Sequence, residues 1–103
     1  MSIDNPVATQ VTIRGSVSPV QLSSVTVHVS SFFIQALEGN TGNILIGNVS
    51  TVNATTAMVQ LSAGEGVEFV ASDYKIHSPV FNLTNFHIVA TASSDKATLT
   101  YFS

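Results

Sequence analysis

Apolar and polar residues alternate through most of the chain, and this alternation predicts short β-strands. Between Val7 and Arg14, one phase holds Val7, Val11 and Ile13 while the other holds Thr12 and Arg14, which is the period of two of a half-buried strand. The same period recurs at residues 57–61, 67–71, 86–92 and 97–101. No window has the 3.6-residue period of an amphipathic helix, so the pattern favours an all-β protein.

One segment shows a slip in this pattern. The apolar phase passes through Val20 and Leu22, and after two serines it continues at Val25, Val27 and Val29. A slip of one residue would turn the side chains to the other face of a sheet. We therefore expect a β-bulge here, or a strand that leaves one sheet for another.

A second segment is apolar on both phases. It contains Phe32, Phe33, Ile34, Ala36 and Leu37. Continuous apolar strands are typical of strands that are covered on both faces. We expect this strand to be covered on one face by its own core and on the other by a neighbouring subunit.

Gly, Asn and Ser punctuate the predicted strands, because these residues suit tight reversals of the chain. They predict a turn over residues 38–43, a break at 15–19, a Gly-containing hairpin loop at 62–66 and a turn at 93–96. The strands between them are predicted at Ile44 to Gly47, weakly at Val49 to Val52, around Tyr74 and Ile76 before Pro79, and at Ala97 to Tyr101 as a final hairpin arm.

About eight to ten short strands are therefore expected, with turn signals every eight to twelve residues. This pattern predicts an antiparallel β-sandwich or a jelly-roll-like barrel, with the jelly roll favoured. The Cys and Trp residues that mark true immunoglobulin domains are missing. The length of 103 residues predicts one β domain over residues 1–103, with residues 1–6 as a flexible N-terminal arm.

Charge is scarce: only nine of the 103 residues are Asp, Glu, Lys or Arg. Surfaces of free domains usually carry roughly 25–35% of these residues, which keeps molecules and strand edges apart. A neutral surface predicts a subunit that lies against other protein. Arg14, Lys75 and Lys96 are too few to neutralise a row of phosphates, so nucleic-acid binding is not expected. The chain also lacks an apolar run long enough for a membrane helix, and its start lacks a secretory signal pattern.

Candidate catalytic and metal-binding groups show no recognised pattern. His28, His77 and His87 lie far apart in sequence and outside any ligand spacing, so we expect no metal and no cofactor. Glu65 and Glu68 resemble a carboxylate pair, but one lies in a Gly turn and the other on the polar phase of a strand. No Gly-x-Ser-x-Gly motif is present, and the Gly-rich loops lack a following helix that could bind phosphate. The sequence does not predict an enzyme.

Several turn and strand motifs resemble those of small tailed-phage virion proteins. They are Ile34-Gln35-Ala36, the stretch Asn40-Thr41-Gly42-Asn43-Ile44-Leu45-Ile46-Gly47, the turn Leu61-Ser62-Ala63-Gly64-Glu65-Gly66, and the closing Asn85-Phe86-His87-Ile88 and Ala97-Thr98-Leu99-Thr100-Tyr101. The resemblance covers residues 32–103 and departs from the usual pattern at Gly66, where a polar residue is more common. It implies a capsid decoration, or cement, protein: a compact β-module, commonly a trimer, over junctions between capsomers.

The leading hypothesis is therefore a phage cement protein that forms a homotrimer and binds the major capsid protein. The expected location is the capsid surface of the virion, after synthesis in the host cytoplasm. The predicted trimer seam is Phe32, Phe33, Ile34 and Leu37. The predicted capsid contact is the arm Ser2, Ile3, Asp4, Asn5, Pro6 and Val7.

Two other classes of function remain open at this point. A tail, baseplate or fibre module could bind a surface receptor or glycan through exposed aromatic and Asn side chains. A free enzyme of the small-barrel kind would need clustered polar side chains in a pocket, for which the three histidines are the best candidates.

Overall fold

Ten short strands make up nearly all of the regular structure in the described part of the chain. The structure, a computed structural model, describes residues 8–14, 18–70 and 81–102. The strands are β1 Ala8–Arg14, β2 Val20–Gln21, β3 His28–Val29, β4 Ser31–Ala36, β5 Ile44–Gly47, β6 Val59–Leu61, β7 Gly66–Val70, β8 Phe81–Asn82, β9 His87–Ala90 and β10 Lys96–Phe102. A short 3-10 helix covers Leu83–Asn85. The all-β prediction is confirmed.

Two four-stranded antiparallel sheets form a sandwich. The first sheet has the order β1-β10-β4-β7, and the second has the order β2-β9-β5-β6. Strands β3 and β8 pair with each other and belong to neither of these sheets. Among these eight main strands, the first pairs with the last, the second with the seventh, the third with the sixth and the fourth with the fifth. This nested pairing is the connectivity of a double-sheet jelly roll.

The core lies between the two sheets and follows the alternation in the sequence. Phe32, Ile34 and Ala36 of β4 point inward from the first sheet, and Ile44 and Ile46 of β5 point inward from the second. The rest of the core is filled by side chains from β3 and from β6 to β10, and by Leu22, Leu83 and Phe86. The period of two thus decides which residues are buried on the inner face of each sheet.

One end of this core is built from phenylalanine rings. Phe32 stacks on Phe69 with ring centroids 4.8 Å apart, and it meets Phe86 edge-on at 5.1 Å. Phe81 meets Phe86 edge-on at 5.2 Å. Stacked and edge-to-face pairs at such separations add to the stability that burial alone gives.

The phase slip after Leu22 corresponds to a change of sheet. β2 pairs with β9 in the second sheet, whereas β3 pairs with β8 in the separate two-stranded sheet. Val25 lies in the bend between them and is 64% exposed, while Leu22 and Val29 are buried. The sequence-based expectation of a strand that changes sheets agrees with this arrangement.

Both predicted hairpins are wrong in their pairing. β6 belongs to the second sheet and β7 to the first, so the loop at residues 62–65 crosses the sandwich. β9 and β10 are separated in the same way, and β10 pairs with β1 and β4. Gly and Ser favour a reversal of the chain, but they do not determine whether the next strand joins the same sheet.

The predicted weak strand at Val49 to Val52 is instead a turn. Val52 is buried there against Leu45 and Val89, which point outward from the second sheet. An apolar patch on the outer face of this sheet is thus covered by the loop of residues 48–58. The cost of exposing these side chains to water explains why the loop folds back onto the sheet.

The predicted strand around Tyr74 and Ile76, the break at Pro79 and most of the break at residues 15–19 lie outside the described residues. Among the residues that are described, no helix is long and apolar enough to span a membrane.

Candidate functional site

The outer face of the first sheet carries few charges. Its middle consists of two cross-strand rows, which we call the neutral face: Thr12, Thr98 and Gln35 in one row, and Thr100, Phe33 and Glu68 in the next. All six side chains are exposed or half-buried, while Ile34, Phe69 and Leu99, which alternate with them, point into the core. Glu68, on the edge strand β7, is the charged member of the set. This face has hydroxyls, an amide and one aromatic ring to offer a partner.

Phe33 lies at the centre of this face and covers Gly66. A Cβ atom built on Gly66 would be 2.5 Å from Phe33 Cζ, so the ring occupies the space above the glycine backbone. Phe33 is 36% exposed despite this contact. Aromatic cover of a glycine near a sheet edge stabilises the strand pair. A side chain at position 66 would therefore have to displace the ring of Phe33.

The four residues of the predicted trimer seam fall into two groups. Phe32 and Ile34 are buried in the chain's own core, with 1% and 0% exposure, and leave no surface for a second copy. The prediction is corrected for these two residues, because alternation along β4 turns them inward. Phe33 lies on the neutral face, and Leu37 is half-buried beyond the end of β4. The predicted capsid contact, Ser2, Ile3, Asp4, Asn5, Pro6 and Val7, lies outside the described residues.

A buried carboxylate holds two loops together at one end of the sandwich. Asp95 is 1% exposed. Its Oδ1 accepts a hydrogen bond from the Thr41 N–H at 2.9 Å, and its Oδ2 accepts one from the Gly42 N–H at 2.7 Å. The Thr41 hydroxyl lies 3.4 Å from Oδ1 as a further donor. Hydrogen bonds to a charged acceptor are stronger than neutral ones, and they compensate for burial of this charge.

Other bonds extend this loop junction, which we define as residues 37–43 and 91–96. The Asn40 Nδ2 amide donates to the Lys96 carbonyl oxygen at 2.8 Å, and the Lys96 N–H donates to Asn40 Oδ1 at 2.9 Å. Asn43 N–H donates to Thr91 Oγ1 at 2.8 Å, and Thr91 N–H donates to the Asn43 carbonyl oxygen at 2.9 Å. The Asn-Thr-Gly-Asn turn of the sequence motif therefore has a structural role, which is to connect the two sheets.

The histidines and carboxylates considered for catalysis do not meet. His28 is exposed in β3, His87 is half-buried in β9, and His77 lies outside the described residues. Glu65 Oε1 accepts a hydrogen bond from the Ser62 N–H at 2.7 Å and thereby closes its turn, whereas Glu68 lies on the neutral face. Within the described part of the chain, no three His, Asp or Glu side chains are close enough to hold a metal ion.

The Gly-rich turn at residues 64–66 has a structural role as well. Gly64 adopts a φ of 83°, which favours glycine, and its N–H donates to the Ala36 carbonyl oxygen at 3.0 Å. The Ala36 N–H in turn donates to the Glu65 carbonyl oxygen at 2.8 Å. This turn therefore anchors the crossing between the sheets to the end of β4.

No protein-family model matches this chain, and neither a curated protein nor a solved structure matches it.

Proposed function

We propose that the chain is a phage capsid decoration protein, which binds the outer capsid as a homotrimer and stabilises the shell. The observation that carries the proposal is the neutral face of the first sheet. A face with hydroxyl and amide groups around one exposed phenylalanine resembles the middle of a protein interface, where charged residues are depleted and aromatic residues enriched. The motif resemblance to small tailed-phage virion proteins supports the same assignment.

In this proposal the neutral face forms the contact between copies, with Phe33 at its centre. A closed trimer uses a head-to-tail contact, so the neutral face of one copy meets a different surface of the next. The N-terminal residues 2–7 would contact the major capsid protein. Three such arms on one trimer would bind several capsid subunits at once, and many weak contacts together give slow dissociation. No turnover is required.

The first experiment measures the rupture temperature of DNA-filled capsids that contain the major capsid protein of the same phage but lack this protein. We expect added protein to raise the rupture temperature in a saturable way, because a ligand of the intact shell stabilises it. Serum albumin at the same mass concentration serves as the control. An unchanged rupture temperature at saturating protein would contradict a stabilising role.

A tail or fibre module that binds a receptor is the second candidate. The sequence suggested exposed aromatic side chains for this role, but Phe32, Phe69, Phe81 and Phe86 are buried in the core. The feature that supports this candidate is an open groove at the β2 edge of the second sheet, which is lined by Pro19, Val20, Gln21, Ser24, Ser50 and His87.

A further inference from the structure

The charged residues of the sandwich are concentrated at one end. This end is formed by the loops of residues 37–43, 62–65 and 91–96 and by the last residue of β1, and we call it the charged end. Of the six Asp, Glu, Lys and Arg residues in the described part of the chain, Glu68 lies on the neutral face. The other five lie at the charged end: Arg14, Glu38, Glu65, Asp95 and Lys96.

The opposite end of the sandwich carries exposed apolar side chains instead. It consists of residues 22–30, 48–58 and 81–86, which we call the uncharged end. In this described part there is no Asp, Glu, Lys or Arg. Val25 is 64% exposed here, Met58 40% and Val49 38%. The other exposed large apolar side chains of the described residues, Val20 and Phe33, lie on the sheets.

Hydrogen bonds within the uncharged end already hold these side chains in place. The Ser23 hydroxyl donates to the Val25 carbonyl oxygen at 2.6 Å and accepts the Val25 N–H at 3.2 Å. In the loop of residues 48–58, Asn53 Oδ1 accepts the Thr55 N–H at 2.8 Å, and the Asn53 N–H donates to Thr56 Oγ1 at 2.9 Å. A partner would therefore bind loops whose backbone is already bonded, which lowers the entropy cost of binding.

This distribution of charge distinguishes between the surfaces that each end could meet. Charged side chains keep a solvated surface apart from other molecules, whereas the middle of a protein interface is depleted of them. Nucleic acid and anionic membranes attract Lys and Arg, which the described part of the uncharged end lacks. The uncharged end therefore fits an apolar protein surface, and the charged end fits water.

The direction of β1 connects the uncharged end to the proposed capsid arm. β1 begins at Ala8, which is opposite Phe102, and it ends at Arg14, which is opposite Lys96 at the charged end. The arm of residues 2–7 precedes Ala8 in the chain, so it joins the sandwich at the end remote from the charges. The arm and the uncharged end can therefore contact the same partner.

We propose that the uncharged end faces the capsid shell and inserts Val25, Val49 and Met58 into an apolar surface of the major capsid protein, while the charged end faces solvent. This inference rests on the proposed function, and it specifies which surface of the chain makes the contact. A threefold axis along the strands would place three uncharged ends side by side on the shell, with the Phe33 seam between copies.

The test measures capsid binding of the purified full chain and of three lysine variants by co-sedimentation. Val25→Lys and Met58→Lys place a charge in the proposed contact, and each should weaken binding about 10-fold or more, as is typical of residues central to an interface. Ser94→Lys is the matched control, because it adds the same charge at an exposed position of the charged end, and it should bind like the unmodified protein. Circular dichroism and light scattering should show the same fold and mass for all four proteins.

The outcomes separate this inference from the proposed function. If the unmodified protein binds capsids and both Val25→Lys and Met58→Lys bind equally well, the inference fails while the decoration role stands. A loss for Ser94→Lys as large as that for Val25→Lys also overturns it. A folded Val25→Lys variant with a smaller mass than the unmodified protein would place this end between copies, against the inference. If the unmodified protein does not bind capsids, both proposals fail.

Discussion

The ring of Phe33 lies over Gly66, where a Cβ atom would be only 2.5 Å from Phe33 Cζ. The two residues are diagonal neighbours, since Phe33 is opposite Glu68 and Gly66 is opposite Gln35. Phe33 therefore stabilises its own sheet and also presents an aromatic surface to a partner. Substitutions at the two positions can separate these roles.

Replacement of Gly66 by Ala should destabilise the fold through Phe33. The added methyl group must displace the end of the exposed ring, so the expected loss is that of one cross-strand aromatic contact, about 0.2–1 kcal/mol. In a Phe33→Leu background there is no ring, so Gly66→Ala should then be nearly neutral. Urea denaturation of the four variants at one protein concentration gives this double-mutant cycle. An equal loss of unfolding free energy in both backgrounds would refute the contact.

Replacement of Phe33 by Lys should separate the proposed trimer into folded monomers. The new lysine and Glu68 would both lose their contact with water in the seam, whereas in the monomer the two charges lie opposite each other and stay solvated. Light scattering should give the mass of three chains for the unmodified protein and 10.8 kDa for the variant. Met58→Lys is the control, because Met58 is 40% exposed beside the second sheet, and it should keep the trimer. A Phe33→Lys variant that is folded by circular dichroism and still trimeric would place the seam elsewhere.

Asp95→Asn should destabilise the loop junction. In either orientation of the new amide, its NH₂ group faces the N–H of Thr41 or Gly42, which then loses its acceptor. A buried donor without an acceptor costs about 1–3 kcal/mol. Glu65→Gln is the matched control, because its remaining oxygen can still accept the Ser62 N–H. Thermal denaturation should show a clear loss for Asp95→Asn and little for Glu65→Gln; similar losses would contradict this role for Asp95.

Two glycines provide a matched test of the loop that covers the second sheet. A Cβ atom on Gly47 would lie 2.8 Å from Val52 Cγ2 and 3.3 Å from the Thr56 carbonyl oxygen, so Gly47→Ala should cost about 1–3 kcal/mol. Gly39 has nothing within 4 Å of such an atom, and Gly39→Ala should be neutral or stabilise by up to about 1 kcal/mol. Chemical denaturation measures both. A Gly47→Ala variant as stable as the wild type would show that Val52 does not pack closely over the sheet.

Local alternation was enough to predict most strands but not their partners. The phases of β6, β7 and β10 follow from the period of two, because the apolar residues of each strand lie mainly on its inner face, whereas β4 and β5 are apolar on both faces. The loops at residues 62–65 and 91–95 resemble hairpin turns in composition, yet each crosses between the sheets. The choice of partner depends on how the whole core closes, and no local pattern contains that information.

The contacts in the candidate sites, like the strand partners, depend on residues that are distant in the chain, and the local sequence did not predict them. Asp95 follows two serines and reads as an ordinary turn residue, so nothing in the sequence indicates that it binds the loop at residues 41–42. His87 lines one groove together with residues 19–21, Ser24 and Ser50, positions that are distant in the chain. Phe33 was predicted as a seam residue from its neighbours, but the structure separates it from Phe32 and Ile34, which are buried.

The most direct test of the proposed function is co-sedimentation with capsids. The purified protein is mixed with bare capsids of the phage that this proposal takes to encode it, the capsids are pelleted, and the protein is quantified in pellet and supernatant over a range of concentrations. The account predicts saturable binding to capsids and none to free capsid subunits, because the trimer needs several adjacent subunits. A protein that stays in the supernatant at every concentration would contradict the assignment as a capsid decoration protein.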